Sequence, residues 1–227
     1  MPNTRLLKWD EIGERKYRTG VQDVILFPIS AQNTYDKGIA WNGVSKIAET
    51  PDGGEPTKIY ADNILYLTMY SLETLGGTIT AYDSPAEFDE CDGTAAGADG
   101  VNVSQQTRKT FGLAYKTQIG NDTQGSDYGY EWHLLYGCMA KPTGKEFSTI
   151  NDSPEAAELS WEFTTTPVEV PGLKPSSLIT INSTKADATK LASFEAILYG
   201  TKAEQGGTDV QSRLPMPSEV LAHFAQG

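Results

Sequence analysis

The chain has 227 residues, a formal net charge of −12 and 38% hydrophobic residues, enough apolar mass for one well-cored domain with appended arms and short for two. The acidic balance argues against a conventional nucleic-acid-binding surface, which needs Lys and Arg to replace phosphate counterions. It is compatible with a wall past which a polyanion slides, and the plainer reading of the same charge is solubility.

Two isolated cysteines, Cys91 and Cys138, stand without a CxxC or a Cys/His cluster. They point to buried reduced thiols rather than a metal centre, and no cofactor is expected. The opening residues lack an apolar h-region, and no run of about eighteen apolar residues occurs, so neither a signal peptide nor a membrane span is expected.

In chain order, residues 1–20 mix both charges and read as an N-terminal arm, with Trp9 as a candidate docking residue. The main domain is expected over 21–200. Val21 to Ile29 predicts a first strand, and Lys37 to Ile47 a β-rich stretch. Glu49-Thr-Pro-Asp-Gly-Gly-Glu-Pro, with its prolines and glycines, predicts a long loop, the kind that often carries function. Ile64 to Leu72 is apolar or aromatic on both faces and predicts a strand covered on both sides, in a sandwich core or at a subunit interface. Gly76-Gly77 predicts a hairpin turn into Thr78 to Tyr82. Ser84 to Gly93 predicts a short helix capped by Ser84, and Asp92 to Gly100 a flexible stretch.

Three strong strands follow at Phe111 to Lys116, Tyr130 to Cys138 and Glu158 to Thr165, each with a two-residue period. After prolines 167, 171 and 175 comes a short strand at Leu178 to Ile181. Ala186 to Tyr199 predicts a helix capped by Ser183 or Thr184 and stopped by Gly200. Residues 201–227 read as a loose C-terminal arm with a final helical turn at Ser218 to Phe224.

No catalytic motif emerges, and the chain is not expected to be an enzyme. Gly137 to Lys145 has the wrong spacing for a P-loop, and no Ser or Thr follows Lys145. His133 and Cys138 lie five apart on one strand and so point to opposite faces, which rules out a dyad. Glu131 and Glu162 lie on the polar sides of strong strands, either as a solvated face or as a patterned acidic wall. Exposed aromatics such as Trp41 or Tyr128 would suit a carbohydrate-binding β-sandwich, although aromatics in strands are more often core.

Several motifs follow one another along the chain: Gly38-Ile-Ala-Trp-Asn-Gly-Val, Tyr60-Ala-Asp-Asn, Gly77-Thr-Ile-Thr-Ala-Tyr, the block from Gln105 to Asp122, His133-Leu-Leu-Tyr-Gly, Thr149-Ile-Asn-Asp-Ser-Pro-Glu and Leu159-Ser-Trp-Glu-Phe. Together they resemble the major tail protein (tail tube protein) of long, non-contractile-tailed bacteriophages, over about Thr19 to Tyr199. The resemblance implies a mainly β fold, a sandwich or barrel of the tail-tube type with one or two flanking helices. It implies hexameric rings stacked around a tape-measure protein, contacts with tail terminator and distal tail proteins, a place in the virion tail and DNA passing through the lumen. On that reading Glu49, Pro51, Asp52, Gly53, Gly54, Glu55 and Pro56 are candidates for stacking rings, and Glu131 and Glu162 for lumen acids. A tube of a phage-tail-like bacteriocin is the nearest alternative.

Overall fold

The computed structural model describes residues 6–71, 73–149, 156–203 and 207–225. The first five residues of the expected arm, Leu72 and residues 150–155 of the quoted motif therefore lie outside the described residues. The fold is mainly β, with a large antiparallel sheet and few helices. The sheet runs β2(Ile39–Ala40), β1(Lys16–Pro28), β9(Phe111–Asn121), β10(Gly125–Ala140), β11(Leu159–Thr165), β6(Thr74–Ala81) and β3(Val44–Asp52), with β12(Leu178–Asn182) beside β10.

One strand belongs to two layers. The first part of β10 pairs with β9 and, over Glu131 to Leu135, with β12; its last residues, Cys138 to Ala140, pair with β11. The bend falls at Gly137, whose φ of +61° is open to glycine and strained for other residues. Its N–H donates to the Tyr35 hydroxyl (3.0 Å), and its carbonyl accepts from the Thr166 N–H (2.9 Å).

The bend folds β11–β6–β3 over β1–β9–β10. Between the layers lie Leu26, Leu113, Leu135, Ile79, Trp161, Phe163, Trp41 and Phe88. On the other side of β1–β9–β10, Phe27, Ala114, Trp132, Leu134 and Tyr136 pack against α2(Ala188–Tyr199) and α3(Pro217–Ala225) through Leu191, Phe194, Leu198 and Val220. The middle layer is therefore apolar on both faces, while β11 keeps one dry face (Trp161, Phe163) and one wet face (Glu162, Thr164).

Lys116 pins α2 to the middle layer. Its Nζ lies 3.2 Å from both Asp23 and Glu195, donates to the Tyr199 hydroxyl at 2.7 Å and sits 4.6 Å from the Tyr130 ring centre. Trp132 Nε1–H donates to the same Glu195 at 2.9 Å. The helix is capped by Asp187, not Ser183 or Thr184, because the Asp187 carboxylate accepts from the N–H groups of Thr189 and Lys190.

Other expectations are corrected. Glu49 to Asp52 continue β3, leaving only residues 53–55 outside strands; Pro51 is tolerated because β3 ends the sheet and needs partners on one side only. Gly76 and Gly77 lie within β6, not in a turn. A Cβ on Gly77 would stand 2.6 Å from the Phe163 ring, so the strand keeps glycine to let that ring lie across it. Asp92–Gly100 contains half of a second hairpin, β7(Ala95–Ala98) with β8(Val101–Val103). Before it, a 3-10 turn Ala86–Phe88 leads into α1(Asp89–Asp92), with Pro85 and not Ser84 at its start and no side-chain cap.

Both arms are shorter than expected. Residues 16–19 already pair with β9, and residue 20 lies within β1. The C-terminal stretch packs on the domain because its apolar residues have a place to go. Leu214 and Val220 are buried, Tyr136 donates its hydroxyl to Pro215 O (2.8 Å), and the Leu214 N–H donates to Tyr35 O (3.0 Å).

Candidate assembly surfaces

The strand expected to be covered on both sides is open on both. Among the described residues, β5(Ile64–Tyr70) pairs only with β4(Pro56–Ala61), forming a two-stranded hairpin separate from the main sheet. Asp62 and Asn63 both have positive φ (51° and 63°), the geometry of the two-residue turn that matches strand twist. Register places Ile59, Ile64, Leu67 and Met69 on one face, and Lys58, Tyr60, Leu65, Tyr66 and Tyr70 on the other, with a bulge beside Leu65. Tyr60, Tyr66 and Tyr70 are 66%, 67% and 72% exposed, and Ile64 and Met69 are also exposed. A lone hairpin is marginal in water, and a continuous apolar patch of this kind marks a contact surface. The sequence signal was present, as Asp-Asn between two apolar runs, but the two-sided apolar pattern reads equally as core.

At the hairpin's root, β3 turns an inner carboxylate into the domain. Glu49 Oε1 accepts from His133 Nδ1–H at 2.8 Å and from the Tyr115 hydroxyl, and the Tyr115 and His133 rings stack at 4.7 Å with 6° between planes. His133 Nε2 meets the Thr117 hydroxyl at 3.0 Å. The bond from His133 holds the Glu49 carboxyl below its ordinary pKa against the opposing effect of burial, while burial and Glu49 push the Tyr115 hydroxyl up. Glu49 is thus a tether between β3 and the middle layer, not a loop residue. Pro51 and Asp52 lie in the strand, and only Gly53, Gly54 and Glu55 form the link to the hairpin at Pro56.

The two candidate wall acids separate. Glu131 is buried, and its carboxylate is held by Arg18 at 3.0 Å, so it presents no open charge. Glu162 is exposed on the outer face of β11–β6–β3, a layer on which no helix packs among the described residues. That face is small and polar. Thr50, Asp52, Thr74, Thr78, Glu162 and Thr164 line a shallow groove of about 440 Å³ with Lys141. β3 closes the sheet, and among the described residues no strand pairs with its outer edge.

Trp9 is 67% exposed on residues 6–15, which are tied to the domain by the Gly13 N–H donating to Asp122 Oδ1 (2.9 Å). Trp41 does not offer a sugar platform: it is buried against Phe88 and Trp161, with its indole N–H donating to Asp83 O. Tyr128 is half-buried, with the Lys16 ammonium 5.4 Å from its ring centre.

Among the described residues, no group of three or more His, Cys, Asp or Glu is placed to hold a metal ion, and no helix is long and apolar enough to cross a membrane. Both cysteines are buried and free, and burial pushes the Cys91 thiol up to about 12. Comparison with protein-family models and with curated proteins finds no match.

Proposed function

We propose that the chain is the structural subunit of a tube of the bacteriophage tail type, joined to copies of itself in stacked, hexameric rings, and not an enzyme. The observation that carries this reading is the apolar β4–β5 hairpin on the end of β3, a strand whose outer edge has no partner among the described residues. An edge strand with free backbone groups and a projecting apolar hairpin are costly for a monomer and suit a chain that continues its sheet into a neighbour. Contacts of this unlike-to-unlike kind close into rings when the rotation closes and extend into filaments when it does not.

On this reading the helix-free polar layer β11–β6–β3 lines the lumen, with Glu162 and the threonines facing the cargo. Hydroxyls, with Asp52 and Glu162 set against the single cation of the groove, Lys141, give a passing polyanion little to adhere to. The tape-measure protein occupies the lumen before DNA does, terminator and distal proteins cap the ends, and the protein resides in the virion tail. The hairpin takes the stacking role that the sequence had placed on Glu49 to Pro56. The reading is tested by replacing residues 56–70 with a short Gly/Ser turn. The subunit is expected to keep its thermal unfolding profile and to lose tube formation in electron micrographs. Tubes of normal length from the hairpin-less subunit would overturn it.

A further inference from the structure

The hairpin has a counterpart at the far end of the same strand pair. β3 and β6 run antiparallel, with Val44 opposite Ala81 at one end and Asp52 opposite Thr74 at the other, where the hairpin springs out. Over this length the pair spans about 25–30 Å. The segments that adjoin the Val44/Ala81 end along the chain, residues 28–39 before β3 and 86–90 after β6, enclose an open cleft of about 540 Å³. Pro28, Ile39 and Ala86 form its apolar part, and Asp36, Glu87 and Glu90 its acidic rim, with Ser30 and Lys37.

We infer that this cleft receives the tip of the β4–β5 hairpin of a second copy displaced along the β3–β6 direction. The inference rests on the tube reading and adds the receiving site to it. Three observations support a second copy as the occupant. The projecting element and the cleft-lining segments connect to opposite ends of one strand pair, so a copy displaced along that pair presents one to the other, the contact that repeats without closing. The chemistry matches: aliphatic and tyrosine side chains meet the Pro28, Ile39 and Ala86 surface. The hairpin carries one lysine and one aspartate: Lys58, on the tyrosine face, reaches a rim of three carboxylates, of which Glu90 already pairs with Lys109, and Asp62 at the tip reaches Lys37 of the same cleft. That rim also disfavours an anionic membrane or a nucleic acid as occupant.

The test uses the full chain with Lys58→Cys and Glu87→Cys together, assembled and treated with a short bismaleimide. Both positions are exposed, and the native cysteines are buried. A ladder of dimers, trimers and higher species is expected from the double variant, and monomer from either single variant. Tubes without a ladder overturn the receiving site while leaving the tube reading standing. No tubes from the unaltered chain overturn both. Flotation of the unaltered chain with phosphatidylcholine or anionic vesicles, lost in Tyr66→Ser, would overturn the second copy as occupant in favour of a membrane. In a second arm, Lys58→Glu should raise the assembly threshold several-fold, and Glu87→Lys in the same chain should restore it.

Discussion

Replacing Tyr66 and Tyr70 with serine separates assembly from folding. The two side chains are 67% and 72% exposed and lie on one face of the hairpin. An aromatic side chain offers about 150–250 Å² to burial, which leaves roughly 100 Å² of apolar surface on each for a neighbour to cover. At about 25 cal/mol per Å² this is about 2.5 kcal/mol per residue. Association recovers only part of such area, and half of the pair's total, about 2.5 kcal/mol, weakens each contact about 70-fold. Neither ring is buried in the subunit, so folding stability should change by no more than about 0.5 kcal/mol. Sedimentation against protein concentration reads the assembly threshold, and denaturant unfolding of the dilute subunit reads the fold. An unchanged threshold would refute the hairpin as an assembly element. A large loss of subunit stability would show that it packs on its own domain instead.

Three further outcomes follow from the interior. Lys116→Met should cost about 3 kcal/mol, because it strands the partly buried Glu195 carboxylate, and should lower the melting temperature by about 9 °C; an unchanged melting curve would remove Lys116 as the pin of α2. Gly77→Ala should destabilise by about 2–3 kcal/mol, since the methyl group has neither room beside the Phe163 ring nor a way past the Ala48 carbonyl; Gly100→Ala, at an open hairpin turn, should show only a smaller backbone cost at its φ of +74°. Glu49 has its carboxyl held below the ordinary value of 4.5, so its stabilising contribution is present above that pH and is lost as pH falls through the folded-state value. The advantage of the native chain over Glu49→Gln, read as melting temperature against pH, should therefore be greatest near neutrality and shrink below pH 4.5. An advantage that grows on acidification would contradict the tether.

Much of the fold was legible because periodicity reports burial. Leu159, Trp161 and Phe163 alternate with polar residues, and β11 has one dry and one wet face. Leu191, Phe194 and Leu198 have helical spacing and face the sheet. The failures share a cause, which is that local chemistry was read without knowing where the chain sits. Pro51 breaks an interior strand but not an edge one. Gly76 and Gly77 signal a turn unless a ring must lie across a strand. An apolar residue such as Tyr66 looks the same in sequence whether a core or a second subunit covers it. Glu131 has the pattern of a wet-face acid, and only the register of β1 against β9 and β10 brings Arg18 to it. The Glu49–His133–Tyr115 tether likewise depends on contacts between residues 66 and 84 positions apart.

The central claim, that this subunit closes and stacks with copies of itself, is tested most directly by electron cryo-microscopy of the concentrated protein. The account predicts hollow tubes of stacked rings, hexameric in cross-section, with the helices α2 and α3 outside, the β11–β6–β3 face toward the lumen and the β4–β5 hairpin crossing from one ring to the next. A field of dispersed single subunits, or an assembly that leaves the hairpin in solvent, would contradict it.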